Sequence, residues 1–229
     1  MKSNLKVFRF PVYRVFQPAT VMLYHDMLTV LAVKSMGYIT LSMNEKKRII
    51  TDAELVLSKA DLLYSAEEVD AAFARLAEEM TIHLSDKDPL VLCVMLGGIV
   101  PTGILLPQLS FPLQLDYVHA TRYHSNPSGG QLHWVKKPGK HLVDRTILLV
   151  DDILDEGITL SAIKDDCLQA GAKAVYTAVL IDKILAREKC LPRADFTGLT
   201  VPDRYIFGYG MDYLEYHRNC PGIYALRES

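Results

Sequence analysis

Cysteine is scarce in this chain, and the few present do not pair. Cys93, Cys167, Cys190 and Cys220 are widely spaced and form no C-x-x-C. That argues against a zinc knuckle or a disulfide framework and points to a reducing, cytoplasmic compartment. Long hydrophobic runs are missing as well. The apolar stretch from Val21 to Leu41 is interrupted by His25, Asp26 and Lys34, so nothing approaches the ~20 apolar residues that a membrane span needs. Nor is there an excess of charge of one sign. Lysine and arginine number 25 against 27 acidic residues, a net charge of −2, which gives no global pull towards nucleic acid or an anionic membrane. Any phosphate must be held by a local device. From Thr51 onward, internal repeats and low-complexity linkers are absent too. The histidines form no metal pattern: strand alternation and loop composition account for His119, His124 and His133, and no zinc is assigned.

What is there suits an ordinary globular protein. Half of the 229 residues are apolar and 23% are charged, enough for one generous domain or a domain with an appendage. Residues 1–42 stand apart. Lys2, Lys6, Arg9 and Arg14 precede the broken apolar stretch, without a clear small-residue cleavage site. Three readings remain open: an extra structural segment, a weak targeting sequence, or codons upstream of the true start, for which Met43 is a natural candidate. The accessory or mis-assigned-start readings are favoured, which leaves residues 43–229 as the domain proper.

From Thr51 the pattern is α/β. Ser65 with Glu68 three residues on has the form of a capping box, opening a helix through Val69, Ala72, Phe73 and Leu76 to about Leu84. Pro89 to Met95 reads as a buried strand ending in Leu96-Gly97-Gly98. Cys93 within it is a small buried hydrophobe. A helix follows over about 100–109, with Pro101 in its first turn. Leu113 to Ala120 alternates as a strand, and 124–130 is a loop rich in Ser, Asn, Pro and Gly. Trp134 lies on a returning strand, and Pro138-Gly139 marks a turn. A helix over about 159–170 is closed by Gly171, then come a strand from Val175 to Ile181 ending at Asp182-Lys183, and a further strand over Tyr205–Tyr209. Alternating strands and helices imply a mainly parallel sheet covered on both faces, with ligands bound beyond the carboxyl ends of its strands. Gly97, Asp151 and Lys183 all fall at such ends.

The densest information lies in Ile147-Leu148-Leu149-Val150-Asp151-Asp152-Ile153-Leu154-Asp155-Glu156-Gly157-Ile158-Thr159-Leu160. Four aliphatics give a buried strand that ends in two carboxylates, then a glycine-containing loop, then the start of a helix. Backbone N–H groups at a helix N-terminus favour anions, and a glycine lets the chain approach a phosphate closely. The carboxylates suit vicinal hydroxyls or a hydrated Mg²⁺. The strand and acidic pair alone also fit a phospho-acceptor receiver domain or any acidic switch point of a doubly wound sheet. The complete stretch resembles the diphosphate-sugar (PRPP) binding signature of the type I phosphoribosyltransferases.

From about Ala66 onward the chain resembles the hypoxanthine/guanine (6-oxopurine) members of that family. The resemblance rests on the signature, the strand-Gly-Gly loop, Lys183 after the next strand, and Pro202-Asp203-Arg204-Tyr205-Ile206-Phe207-Gly208-Tyr209-Gly210-Met211-Asp212-Tyr213. It implies the type I phosphoribosyltransferase fold, an α/β mainly parallel twisted sheet flanked by helices, with a small hood built from N- and C-terminal segments. It also implies transfer of the phosphoribosyl group from PRPP to hypoxanthine or guanine, with Mg²⁺ as cofactor. A homodimer or homotetramer is implied as well.

The same resemblance assigns roles. Asp151 and Asp152 would hold the ribose hydroxyls and Mg²⁺, and Asp155 would be the general base. Glu156, Gly157, Ile158 and Thr159 would cradle the 5′-phosphate. Glu156 departs from the Thr or Ser of many relatives, and its side chain is expected to point outward while its N–H binds. Leu96 and Gly97 would form the pyrophosphate loop, which in relatives can contain a cis non-proline peptide. Leu96 stands where a polar or basic residue is frequent. Lys183 would donate to the purine 6-oxo group, which selects hypoxanthine and guanine over adenine. Tyr205 would stack on the base and Ile206 would offer backbone groups to its pyrimidine edge. Asp212 would lie near a second metal position or the exocyclic edge of the base, and Arg218 would meet the pyrophosphate. Arg122 and Tyr123 match the flexible lid; relatives carry Ser at the former, so Arg122 either adds a phosphate contact or is simply exposed. A PRPP-sensing regulator of the same fold, or an enzyme preferring xanthine, are the competing readings.

Overall fold

The computed structural model describes residues 43–122 and 132–227. Residues 1–42, Tyr123 (expected in the lid) and residues 124–130 (expected as a loop) lie outside the described residues. The chain runs α1 (Met43–Lys59), β1 (Asp61–Ser65), α2 (Ala66–Leu84), β2 (Leu90–Met95), α3 (Ile99–Leu105), β3 (Gln114–Arg122) and β4 (Leu132–Lys136). Then follow β5 (Thr146–Leu154), α4 (Ile158–Gln169), β6 (Ala174–Ile184), β7 (Phe196–Pro202), β8 (Ile206–Phe207) and β9 (Gly222–Ala225). Among the described residues no helix is long and apolar enough to cross a membrane.

Six strands form the main sheet in the order β4-β3-β2-β5-β6-β7. All neighbours are parallel except β3 and β4. The apolar runs of β2 and β5 are continuous because both sheet faces are covered. Val91, Leu148 and Val150 pack on one side with Val69, Phe73, Leu76 and Met80 of α2. Leu90, Leu92, Ile147 and Leu149 pack on the other with Leu160, Ile163 and Cys167 of α4. The α2 stripe recurs at helical spacing and starts from the expected capping box. Glu68 N–H donates to Ser65 Oγ at 3.3 Å, and Ser65 N–H donates to Glu68 Oε2 at 2.8 Å. At the far end of α4, Gly171 (φ 92°) lies just past the C-cap, and its N–H and that of Ala172 close onto Leu168 and Cys167 carbonyls. This is a Schellman ending.

A second, antiparallel sheet joins β1, β9 and β8. It brings the start of the domain to its end, pairing Asp61 with Ala225 and Ile206 with Ala225 on opposite sides of β9. Arg204 fastens it further, donating to Asp61 Oδ2 and to the Leu226 carbonyl, each at 2.6 Å.

The structure corrects four boundaries. The helix expected over 100–109 ends at Leu105 and tightens into a 3-10 turn over Leu106–Gln108; Pro107 has no N–H to return to the Gly103 carbonyl. Strand β5 does not stop at the acidic pair but runs on to Leu154, and β6 runs to Ile184. The strand expected over Tyr205–Tyr209 shrinks to Ile206–Phe207 and belongs to the small sheet, because Gly208, Tyr209 and Gly210 all turn with positive φ. The sixth strand of the main sheet is β7, whose interior Gly198 and terminal Pro202 disguise it in the sequence. As an edge strand it tolerates both.

Candidate active site

The carboxyl ends of β2 and β5, the start of α4 and the loop after β8 surround one cleft of about 280 Å³. Gly97, Asp151, Asp152, Asp155, Glu156, Gly157, Ile158, Thr159 and Arg218 line it. Nine of the residues singled out in the sequence are thus brought together.

The floor is the acidic pair. Asp152 is buried and its N–H donates to Asp151 Oδ1 at 3.0 Å. Burial pushes the Asp151 carboxyl well above the ordinary value, and the Asp152 charge beside it adds to the rise. Burial likewise lifts Asp152 to about 6, against the downward pull of its hydrogen bond with Asp151 and of the Arg218 guanidinium. Two carboxylates taken out of water side by side favour a cation as neighbour.

The β2 end forms the second wall. The Met95–Leu96 peptide is cis, and Leu96 is exposed. Gly97 runs so close to the acidic pair that a Cβ would sit 2.0 Å from Asp152 Oδ2. Against it packs Gly210 (φ 109°), whose Cβ would lie 2.2 Å from the Gly97 carbonyl oxygen. Arg218 donates from Nη1 to the Gly210 carbonyl at 2.6 Å, and its Nη2 lies 2.5 Å from Asp212 Oδ1.

The third wall is the start of α4. Gly157 adopts φ 74° at its N-cap, and no acidic residue occupies the first turn. The N–H groups of that first turn have no carbonyl partner within the helix, and donors so placed favour an anion. Beside it, Asp155 Oδ2 lies 3.2 Å from Lys183 Nζ, and Lys183 also lies 3.6 Å from Asp203 Oδ1. The second Asp155 oxygen, Oδ1, is buried without a hydrogen-bond partner. The Glu156 side chain engages Arg187, whose Nε lies 3.2 Å from Glu156 Oε1 and whose Nη1 lies 3.0 Å from Asp203 Oδ2.

A model of the phosphoribosyl transferase domain matches residues 60–213, well over half of the chain. The chain belongs to the phosphoribosyltransferase family. It is 32% identical over 167 residues to the hypoxanthine-guanine phosphoribosyltransferase of Bacillus subtilis (strain 168), covering 72% of this chain and 92% of that one. It is 29% identical over 180 residues to the hypoxanthine-guanine-xanthine phosphoribosyltransferase of Tritrichomonas foetus, covering 79% of this chain and 98% of that protein. Among solved structures it superposes on a hypoxanthine-guanine phosphoribosyltransferase of Bacillus anthracis with a TM-score of 0.68 at 27% identity, covering 73% of this chain and 98% of the other.

The candidate purine-binding residues Tyr205, Ile206 and Asp212 lie in or beside the small antiparallel sheet. Tyr205 is half exposed, and its hydroxyl donates to the Asp212 carbonyl at 3.1 Å while its ring stands edge-on to Tyr213. The Ile206 side chain is buried in the core, so this residue has only backbone to offer a ligand. The Asp212 carboxylate is committed: Oδ1 to Arg218, and Oδ2 to the Glu215 N–H at 2.9 Å. Among the described residues no three His, Cys, Asp or Glu side chains gather as a metal cluster. Arg122 ends β3, and Tyr123 lies outside the described residues.

Sequence reasoning passed over Arg187, Asp203 and Lys189. The Lys189 side chain, largely enclosed, donates to the Leu154 carbonyl at 3.3 Å and forms an ion pair with Asp182. The signal was present as Arg187-Glu188-Lys189, a charged run directly after the strand that carries Lys183. Only the fold shows that two of its members turn back to the signature loop.

Proposed function

We propose that this phosphoribosyltransferase is a purine salvage enzyme that joins hypoxanthine or guanine to PRPP, giving IMP or GMP and pyrophosphate. The observation that carries this reading is the Asp155–Lys183 pair, 3.2 Å apart beside the anion site of α4. A 6-oxopurine presents an acceptor, O6, next to the proton of N7. An ammonium and a carboxylate side by side match that edge. Adenine offers a donor where O6 would be, leaving two donors opposed and unpaired. The names of the relatives, hypoxanthine-guanine in one case and hypoxanthine-guanine-xanthine in the other, support the same substrate class.

In the proposed reaction N9 forms a bond to C1′ of PRPP as the bond from C1′ to the pyrophosphate oxygen breaks. The N7 proton passes to the Asp155 carboxylate, and the leaving group takes the electron pair of the broken bond. Lys183 orients the base through O6, with Tyr205 stacked on it and the Ile206 backbone facing its pyrimidine edge. The N–H groups of Glu156 through Thr159 and the Thr159 hydroxyl hold the 5′-phosphate. The Gly97 backbone and Arg218 receive the pyrophosphate, and the lid of Arg122 and Tyr123 excludes water.

The acidic pair fits Mg²⁺. It offers hard oxygen donors whose mutual repulsion a divalent ion relieves, and Mg²⁺ accepts one or two carboxylates completed by substrate phosphates and water. Asp151 and Asp152 would hold it, and when bound it supplies positive charge for the departing pyrophosphate. Asp212, engaged by Arg218, would reach a second ion only on release from that partner. Four free cysteines support a cytoplasmic location. A homodimer or homotetramer follows from family resemblance alone.

Product formation from PRPP and Mg²⁺ with hypoxanthine, guanine, xanthine or adenine, offered singly, tests the reading. Hypoxanthine and guanine should be converted quickly and adenine poorly. Asp155→Asn should lower kcat about 10²–10⁴-fold, the usual worth of a general base, while PRPP still binds. PRPP binding with no turnover of any base would replace the enzyme with a PRPP-sensing regulator.

A further inference from the structure

The loop that opens α4 carries a carboxylate where an anion is to bind. Glu156 lines the cleft and immediately precedes Gly157, so a phosphate seated on the first turn of α4 meets like charge. Arg187 answers it. Its guanidinium bridges Glu156 (3.2 Å) and Asp203 (3.0 Å), Asp203 lies 3.6 Å from Lys183, and Lys183 lies 3.2 Å from Asp155. Charges therefore alternate from the phosphate loop to the pair that faces the base. The segment bearing Arg187 is braced on the same loop. Cys190 N–H donates to the Glu156 carbonyl at 2.9 Å, and Leu191 packs so tightly on Gly157 that a Cβ there would lie 2.8 Å from it. Arg187 is 54% exposed and Glu156 41%, so the pair adds little to folding stability. Its consequence is for the charge that the ligand meets.

We propose that Arg187 is a positioning residue for phosphoribosyl transfer: it holds the Glu156 carboxylate aside and cancels its charge, so that the acidic loop accepts a phosphate dianion. The inference rests on the reading of the site as a PRPP cradle. Arg187 touches no reacting atom and acts through Glu156.

The test is a double-mutant cycle on the full chain: wild type, Arg187→Ala, Arg187→Lys, Glu156→Gln and the Arg187→Ala/Glu156→Gln pair. Steady-state kinetics give the KM for PRPP and kcat, and calorimetry gives the affinity for ribose 5-phosphate. Arg187→Ala should raise the KM for PRPP roughly tenfold, the scale of one uncompensated charge beside a phosphate, with kcat changed less than about twofold. Arg187→Lys, which keeps the charge, should stay near wild type. In the Glu156→Gln background the loss of Arg187 should cost less than about twofold, since position 156 then carries no charge to cancel. An unchanged KM in Arg187→Ala, or the same loss in both backgrounds, would overturn the inference. Ribose 5-phosphate reads the cradle without any reaction. Its weakened binding to Arg187→Ala in a protein that turns over no base would sink the assigned reaction and leave the role of Arg187 standing.

Discussion

Gly97 and Asp152 are in such close approach that the glycine hydrogen occupies the only space between them: a Cβ would stand 2.0 Å from Oδ2 and 2.3 Å from Cγ of the carboxylate. The turn after β2 and the acidic end of β5 are therefore fitted to one another through the lack of a side chain. The same turn supports the hood, because Gly210 rests on the Gly97 carbonyl.

Gly97→Ala should consequently damage the site more than the fold. The buried Asp152 carboxylate must move, and forced overpacking of this kind costs about 1–3 kcal/mol. The expected outcome is a lowered Tm together with a larger rise in the KM for PRPP, measured by thermal unfolding and steady-state kinetics. Gly210→Ala should destabilise more, because its φ of 109° and a backbone oxygen at 2.2 Å leave no flexible atom to yield. An alanine at position 97 with wild-type kinetics would show that the acidic pair can relax freely.

The acidic pair also makes a pH prediction with a defined sign. Burial pushes the Asp152 carboxyl up from 3.8 to about 6 in the fold, and it raises Asp151 too. The native protein thus holds a proton more tightly than the unfolded chain, and stability falls as pH rises from about 4 to about 6. For Asp152 alone the fall is at most about 3 kcal/mol. Asp152→Asn removes this penalty. Its unfolding midpoint should exceed that of wild type at pH 7.5 and approach it at pH 4, while activity is lost. A variant no more stable at pH 7.5 than at pH 4, relative to wild type, would contradict the burial argument. Mg²⁺ with PRPP should stabilise wild type most at the higher pH, where the pair is charged.

How much of this was legible in the sequence follows from how far apart the interacting groups lie. The capping box of Ser65 and Glu68 is an exchange between residues three apart, and it reads directly. The runs of β2 and β5 are continuous because both faces are buried, and they read directly too. Strand β7 does not, since Gly198 and Pro202 give a loop-like composition that only an edge position makes acceptable. The opposite error occurs at Tyr205–Tyr209, where β-forming residues are turned aside by three successive positive φ angles. The PRPP signature gathers its residues within one turn, so the cleft was foreseeable. Arg187 lies 31 residues from Glu156, and no local pattern announces that the first corrects the charge of the second.

Lys189 gives a last prediction, because its ion pair lies within the protein rather than on it. Its side chain is 8% exposed and that of Asp182 20%, and Lys189 also donates to the carbonyl of Leu154, the residue before the candidate base. Removing one partner of such a pair strands the other charge and costs about 3–5 kcal/mol, whereas removing both can be nearly neutral. Lys189→Met should therefore unfold at markedly lower denaturant, and Lys189→Met with Asp182→Leu should recover much of the loss. Function should not recover with stability. Lys189 ties the segment of Cys190 and Leu191 to the end of β5, and that segment braces Glu156 and Gly157. In the double variant the KM for PRPP should remain raised although the fold is restored. Recovery of both together would mean that the pair only holds the fold, and that the proposed phosphate loop keeps its shape without it.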